Sequence, residues 1–150
     1  MAVKKDKVSW TYLGEEINSF SQMPEGTLGF IYKVFNITTG KYYIGRKSVS
    51  SKRKRKLTVK EKLLPENKRK TFAFEQKEAA GWKTYCGSNV ELKEEVKNGH
   101  KIEKTILHFC FSKAEITYLE TKEILCSNAL IDSKSYNGWI KATIYKKYLI

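Results

Sequence analysis

Two short strand-like tracts separated by a turn constrain the fold of this chain more than any other feature. Residues 29–36 (GFIYKVFN) and 41–46 (KYYIGR) are rich in aromatic and β-branched side chains, which favour β-strands. The four residues between them (ITTG) end in a glycine and indicate a tight turn. The sequence therefore predicts a β-hairpin that brings Tyr32 and Tyr43 close together.

Positive charge follows directly after the second strand of this hairpin. Residues 41–70 contain 13 Lys and Arg and 2 Asp and Glu, while the whole chain of 150 residues has a net charge of +13. Such a cluster attracts polyanions without conferring sequence preference. Composition alone also allows a solvated charge run in a flexible loop, but the neighbouring tyrosines favour nucleic acid. An acidic membrane surface would suit the charge, yet no amphipathic helix accompanies it.

The second half of the sequence predicts two helices around a further strand. Residues 88–91 (SNVE) and 112–115 (SKAE) have the form of capping boxes, and we expect helices from them to Lys97 and to about Ser127. Residues 102–109 (IEKTILHF) indicate a buried strand. This order predicts one domain of the α/β (α+β) class, in which helices flank a small three-stranded antiparallel sheet.

Two regions lie outside this minimal plan. Residues 1–28 are interpreted as an N-terminal extension whose aromatic stretch, residues 8–13 (VSWTYL), adds an edge strand. Residues 47–81 are interpreted as a basic insertion or loop region, with a short helix after Thr58 and a second helix before Gly81. This insertion either contacts the substrate or becomes ordered only when it is bound.

The hairpin and the elements after it resemble the GIY-YIG nuclease family. Residues 30–32 (FIY) stand for the first half of the family's name, with Phe30 where the family usually has Gly, and residues 43–45 (YIG) match the second half. A Gly-Ser pair before a helix, a helix glutamate (Glu120) and the late pair Tyr136-Asn137 continue the likeness. The resemblance implies a metal-dependent DNA endonuclease of phage or mobile-element type, with Mg²⁺ or Mn²⁺ as cofactor.

Glu120 is the candidate metal ligand. Helical periodicity places it on the same side as Ile116 and Ile124, and a carboxylate on a packing face needs a partner such as a hard divalent cation. Glu123 lies on much the same face, so periodicity does not choose between the two glutamates. The resemblance favours Glu120. The alternative is a glutamate at the helix border that pairs with a lysine.

The other catalytic candidates follow from the resemblance. Both tyrosines belong to the family's active site, and Tyr32 is expected nearest the nucleophile, with a phenol pKa lowered by adjacent cations. Two strand tyrosines are also explained by core packing. The family's catalytic arginine follows the YIG tract at a spacing that gives Arg53, with Arg55 as the runner-up and Arg46 adjacent to the tract. Its guanidinium would stabilise charge on the phosphoryl oxygens.

Asn137 resembles the family's late asparagine, which supports the site by hydrogen bonds to backbone or phosphate, although Asn-Gly is also a plain turn dipeptide.

We expect double-stranded DNA to be the partner, bound by a monomer or a homodimer. The rival hypothesis is a basic nucleic-acid-binding module without catalysis. The residues predicted to contact the nucleic acid are Arg46, Lys47, Lys52, Lys54, Lys56 and Ser88.

The rest of the composition predicts an intracellular protein. No apolar run approaches the roughly 20 residues of a membrane-spanning helix, and residues 1–6 (MAVKKD) contain no hydrophobic signal region. Cys86, Cys110 and Cys126 are widely spaced and form no C-x-x-C pair, which predicts reduced thiols. His108 is expected to play a structural role. A cytoplasmic location is predicted, in the host if the protein is phage-encoded.

Overall fold

The computed structural model of the protein describes residues 7–150, so the predicted lack of a leader in residues 1–6 lies outside the described residues. The described chain contains seven β-strands and three α-helices. In chain order these elements are β1 (Trp10–Tyr12), β2 (Glu15–Ile17), β3 (Gly29–Asn36), β4 (Lys41–Ser48), β5 (Ser50–Lys56), α1 (Val59–Lys62), β6 (Phe72–Glu78), α2 (Val90–Lys97), β7 (Ile102–Cys110) and α3 (Lys113–Cys126).

Five strands form one mixed sheet in the order β2-β1-β7-β3-β4. Strand β3 pairs antiparallel with β4 and with β7, whereas β1 runs parallel to β7. The prediction of three antiparallel strands is therefore met by β7-β3-β4 but is wrong for the whole sheet. The N-terminal segment adds the hairpin β1-β2. The prediction that residues 8–13 form an edge strand is wrong, because β1 pairs with β7 on one side and with β2 on the other, and β2 is the edge. The buried Trp10 anchors β1 by donating its indole N–H to the Trp82 carbonyl at 2.7 Å.

The basic region folds as a two-stranded ribbon outside the main sheet. Strands β5 and β6 pair antiparallel along their whole length. The short helix after Thr58 is confirmed, since this hydroxyl accepts a hydrogen bond from the Glu61 amide. The second predicted helix, before Gly81, is wrong because its residues form β6 instead. Pairing with β5 overrides the helix preference of its Glu, Gln and Lys residues.

The main sheet buries both of its faces. One face carries Phe30, Tyr32 and Val34 against Trp82 and other apolar side chains. The opposite face carries Ile31 and Ile44 of the same hairpin, and helix α3 covers it with Ile116 and Ile124. Because side chains alternate along β3, Tyr32 points away from α3. Strand β4 is the edge of the sheet, and its side chains alternate between the face covered by α3 and the face that carries Tyr32.

The predicted helix ends are close to those observed. Helix α3 begins after the Ser112 cap, whose hydroxyl accepts a hydrogen bond from the Glu115 amide, and it ends at Cys126 as expected. Helix α2 begins one residue later than predicted, because the side chain of Asn89 rather than Ser88 accepts from the Leu92 amide. Ser88 is thereby released from capping.

Candidate active site

The two tyrosines of the hairpin meet over a glycine. Tyr32 of β3 is the cross-strand partner of Gly45 in β4, and the Tyr32 and Tyr43 ring centroids are 6.2 Å apart. A methyl group at Gly45 would lie 2.7 Å from Tyr32 Cζ and 2.8 Å from Tyr43 Cε1. Gly45 is therefore required because both rings occupy the space where any side chain would stand.

Changing Gly45 to alanine is expected to lower the free energy of unfolding by about 1–3 kcal/mol or more, as overpacking does in cores. The nearest atoms to the added methyl group belong to the Tyr32 and Tyr43 rings, and Tyr32 is fully buried. Thermal unfolding measures this loss. Gly138→Ala is the matched control, since no atom lies within 4 Å of its added methyl group. Equal melting temperatures for the two variants would contradict the assignment.

The Tyr32 hydroxyl is buried and has no hydrogen-bond partner in the described structure. Such an orphaned polar group is costly, and an uncommon feature of a folded protein. Burial raises the pKa of this phenol far above its ordinary value, and the neighbouring Tyr85, Tyr43 and Glu120 raise it further. Tyr32 is therefore a neutral phenol whose hydroxyl makes no well-formed hydrogen bond, although the Tyr85 side chain lies near enough to raise its pKa.

Tyr43 is the more accessible member of the pair. It is half-buried, and its hydroxyl shares a hydrogen bond with Ser88 Oγ at 3.0 Å. Burial raises the pKa of the Tyr43 phenol, and although Ser88 and Arg46 act in the opposite direction, the net shift is upward. The expectation that adjacent cations lower these phenol pKa values is therefore wrong. Desolvation outweighs the nearby positive charge.

A third tyrosine, which was not predicted from the sequence to belong to the site, completes the cluster. The ring of Tyr85 meets the ring of Tyr32 edge-on at 5.9 Å, and Lys47 Nζ lies 4.9 Å from the centroid of the Tyr85 ring. Gly87 follows with a φ of +113°, and its backbone runs against both hairpin phenols. The only sequence signal was the aromatic tract ahead of α2 and its Gly-Ser pair.

Glu120 lies on the other side of strand β4, beside Arg46. The Arg46 Nε to Glu120 Oε1 distance is 3.9 Å, and Arg46 also donates to Thr117 Oγ1 at 3.1 Å. The Glu120 side chain is 23 % exposed, and burial raises its pKa while Arg46 lowers it. This carboxylate also raises the pKa of Tyr32 and Tyr43. The Glu120 carboxylate therefore lies close enough to both phenols to influence their ionisation.

Glu123, the second glutamate that periodicity allowed, has a different partner. Its Oε1 is hydrogen-bonded to His108 Nε2 at 2.7 Å. His108 thus has the structural role expected of it. The two helix glutamates differ in their partners, since Glu123 is hydrogen-bonded to His108 at 2.7 Å while Glu120 lies 3.9 Å from Arg46.

Asn137 clamps the outer edge of β4 beside the tyrosines. Its side chain accepts from the Ile44 amide at 3.0 Å and donates to the Ile44 carbonyl at 2.8 Å. The preceding residues pair with β4 at Tyr42. Asn137 thus satisfies the expected backbone support. The next outward-facing backbone groups of β4, those of Arg46, have no partner among the described residues, so the edge is open beside Glu120.

The other predicted arginines lie on the ribbon. Arg55 is held by Glu61 at 2.8 Å and by Glu75 at 3.4 Å. Arg53 forms no ion pair or hydrogen bond with a described residue, and its strand is exposed. The structure brings Arg46, and neither Arg53 nor Arg55, into contact with Glu120. The assignment of Arg53 as the catalytic arginine stays a prediction.

The comparison with protein families agrees with this arrangement. A family model described as "Putative endonuclease segE, GIY-YIG domain" matches residues 10–142. The chain belongs to the GIY-YIG nuclease family. No curated protein and no solved structure shows a significant match to it.

The GIY-YIG assignment accounts for the single carboxylate of the site. Within residues 7–150, no three His, Cys, Asp or Glu side chains converge as a metal-binding cluster. Mg²⁺ is commonly held by one or two carboxylates, with waters and substrate phosphates completing its shell. A half-buried Glu120 with a raised pKa fits that limited role, because a cation would stabilise its charged form better than the distant Arg46 does.

The cysteines and the lengths of the helices bear on two further predictions for this GIY-YIG chain, those of reduced thiols and of no membrane-spanning helix. The three cysteines are free, and burial raises the pKa of the Cys110 thiol to about 12, as is typical of an inert packed thiol. No helix of the described part is long and apolar enough to cross a membrane.

Proposed function

We propose that this GIY-YIG protein is a metal-dependent endonuclease that hydrolyses phosphodiester bonds in double-stranded DNA. The observation that carries the proposal is the buried Tyr32 hydroxyl, which has no partner although it lies in a tyrosine cluster near Glu120. A tyrosine present only for packing would be served as well by phenylalanine. Retaining an unsatisfied hydroxyl at this position favours a role in chemistry.

Glu120 would hold the metal ion, and the open edge of β4 beside it would admit the DNA backbone. When bound there, Mg²⁺ or Mn²⁺ would act as a Lewis acid that neutralises phosphoryl charge and stabilises the departing 3′ oxygen. Glu120 suits this role because no other described side chain except Arg46 is paired with it. Its partial burial also limits competition from bulk water.

The phenols would orient the attacking water. Because the pKa of both Tyr32 and Tyr43 is raised, both stay protonated at neutral pH and act through hydrogen bonds rather than as phenolate bases. Tyr43 reaches the surface through Ser88, while Tyr32 lies beneath it. Water attacks phosphorus, the bond to the 3′ oxygen breaks, that oxygen gains a proton, and the proton lost by the water passes to solvent.

An arginine would stabilise the additional negative charge on the phosphoryl oxygens. Arg46 has the strongest structural support, because it is the arginine beside Glu120 and donates in a planar fork suited to phosphate. Arg53 keeps the family spacing and would reach a phosphate from the ribbon. Lys47 beside Tyr85 and the exposed basic side chains of β5 would hold the neighbouring DNA backbone.

Supercoiled plasmid tests the proposed function directly. The purified protein should convert it to nicked or linear DNA with Mg²⁺ or Mn²⁺ and should stop when EDTA is added. Binding of DNA without cleavage of any plasmid, duplex or RNA, across both metals, would instead favour the non-catalytic module. The exposed basic strand β5 is the observation that supports this second candidate.

The pH profile of cleavage separates the arginines. Glu120 must be ionised to hold a cation, so activity falls as the pH drops through its pKa, and Arg46 lowers that pKa. Arg46→Gln should therefore move the acid limb of the profile to higher pH, in addition to lowering the rate. Arg53→Gln should leave the acid limb in place. An unshifted limb in Arg46→Gln would show that Arg46 does not act on Glu120.

A further inference from the structure

The β5–β6 ribbon has two chemically different faces. Cross-strand partners lie on the same face, and the register pairs Lys54 with Phe74 and Lys56 with Phe72. Lys52 shares this face by alternation. Gln76, the cross-strand partner of Lys52, lies on the same side. We use the name lysine face for five exposed residues of this side, Lys52, Lys54, Lys56, Phe72 and Phe74.

The opposite face carries acidic as well as basic side chains. Arg55 lies there in contact with Glu61 of α1 and with Glu75 of β6, and its partner Ala73 is partly covered. No acidic residue stands directly across from the three lysines of the lysine face. Positive charge is thus present on both faces, but Glu75 stands across from Arg53 on the opposite face, whereas the lysine face has no acid across from its lysines.

Two phenylalanines are exposed among these lysines. Phe72 is 39 % exposed and Phe74 is 62 % exposed. Their rings meet edge-on at 5.3 Å, and Lys54 Nζ lies 4.5 Å from the centroid of the Phe72 ring. A solvated charge run needs no aromatic side chains, whereas an exposed apolar patch within charge is typical of a contact surface.

The ribbon is also tied firmly to the strand that carries the catalytic candidates. Only Val49 separates β4 from β5. Gln76 Nε2 donates to the Thr27 carbonyl and to Ser50 Oγ, each at 2.8 Å, and Ser50 Oγ donates to the same carbonyl at 2.6 Å. Whatever the lysine face binds is therefore held at a set position relative to Arg46 and Glu120.

We propose that the lysine face lies in a groove of duplex DNA, with Lys52, Lys54 and Lys56 on phosphates and the two phenylalanines against base edges. The inference rests on DNA being the substrate, as in the proposed function. The major groove admits a two-stranded ribbon, and apolar side chains contact thymine methyl groups there. Same-face lysines are about 6.6 Å apart along a strand, close to two base-pair steps of about 3.4 Å.

Binding of a short fluorescent duplex, followed by anisotropy over a series of salt concentrations, tests the proposal. Glu120→Gln serves as the parent protein and no divalent ion is added, so cleavage plays no part. Lys54→Gln is compared with Lys77→Gln, since Lys77 is an exposed lysine on the opposite face of the same ribbon. Phe74→Ala probes the aromatic contact.

If the lysine face binds DNA as proposed, each variant gives a distinct result. Lys54→Gln should reduce the slope of log affinity against log salt by about 0.9, and Lys77→Gln should leave the slope unchanged. Phe74→Ala should weaken duplex binding about tenfold at an unchanged slope. Equal slopes for the two lysine variants, or full affinity in Phe74→Ala, would overturn the proposal.

A single strand of the same length gives a further check. If Phe74→Ala weakens single-strand binding more than duplex binding, the rings stack on unpaired bases and the groove proposal is wrong. The proposed function fails separately, through absence of plasmid cleavage by the wild-type protein. The two failures are distinguishable because duplex binding is measured in a protein that needs no catalytic activity.

Discussion

Glu120→Gln is expected to reduce plasmid cleavage by about a thousandfold or more, because the variant loses the carboxylate that would hold the metal, whose charge stabilisation amounts to several kcal/mol of the barrier. DNA binding without metal should persist, since the basic ribbon is untouched. Cleavage is measured by nicking of supercoiled plasmid, and binding by anisotropy.

The same change should leave the fold intact. Burial raises the pKa of Glu120, so its contribution to stability is present at acid pH, where the group is protonated, and is lost as the pH rises through the folded pKa. Glutamine is neutral throughout, and at neutral pH the melting temperature should be unchanged or higher. A lower melting temperature with retained cleavage would show that Glu120 is a structural ion-pair residue.

Glu123→Gln is the matched control, because Glu123 lies on the same helix and contacts His108 instead of Arg46. It should keep near wild-type cleavage, and its loss of stability should be small, as for a partly exposed pair. If Glu123→Gln abolished cleavage and Glu120→Gln did not, the two glutamates would exchange roles.

Tyr32→Phe is expected to separate activity from stability. It removes a buried hydroxyl that has no partner, so the free energy of unfolding should stay the same or increase by about 1–2 kcal/mol. Cleavage should nevertheless fall by about a hundredfold or more, as is typical when a group that positions a reacting proton is lost. Urea unfolding and single-turnover cleavage measure the two effects.

Tyr42→Phe provides the opposite pattern as a control. The Tyr42 hydroxyl donates to Asp132 Oδ2 at 2.9 Å on the other side of the hairpin, so its loss should cost about 1 kcal/mol of stability and leave cleavage nearly unchanged. If Tyr32→Phe kept full activity, Tyr32 would be a packing residue and the hydrolytic proposal would lose its main support.

The sequence predicted the central hairpin and the last two elements closely. Strand β3 occupies the predicted residues 29–36, β7 is longer than predicted by one residue, and α3 ends at Cys126. Aromatic and β-branched content, capping boxes and helical periodicity are local signals, and local signals act over a few residues. They also placed Tyr32 and Tyr43 side by side, because a hairpin brings its own two strands together.

Only the family resemblance predicted that residues far apart in sequence meet, by joining Glu120 and Asn137 to the hairpin tyrosines. No local sequence pattern predicts that Tyr85 packs against Tyr32 or that Arg46 contacts Glu120. The ribbon was missed for the same reason, since β6 consists of residues that favour a helix until β5 pairs with them. These contacts depend on tertiary packing, in which distant segments select each other's conformation.

The amino-acid sequence by itself determined the paired phenols, the concentrated positive charge and the resemblance to a nuclease family. Tertiary structure alone decided that Glu123 pairs with His108, that Arg46 lies beside Glu120 and that the basic segment pairs with β6 as a ribbon. The physical reason is that strand and helix patterns set the direction of each side chain locally, whereas burial and pairing depend on the segment that packs against it.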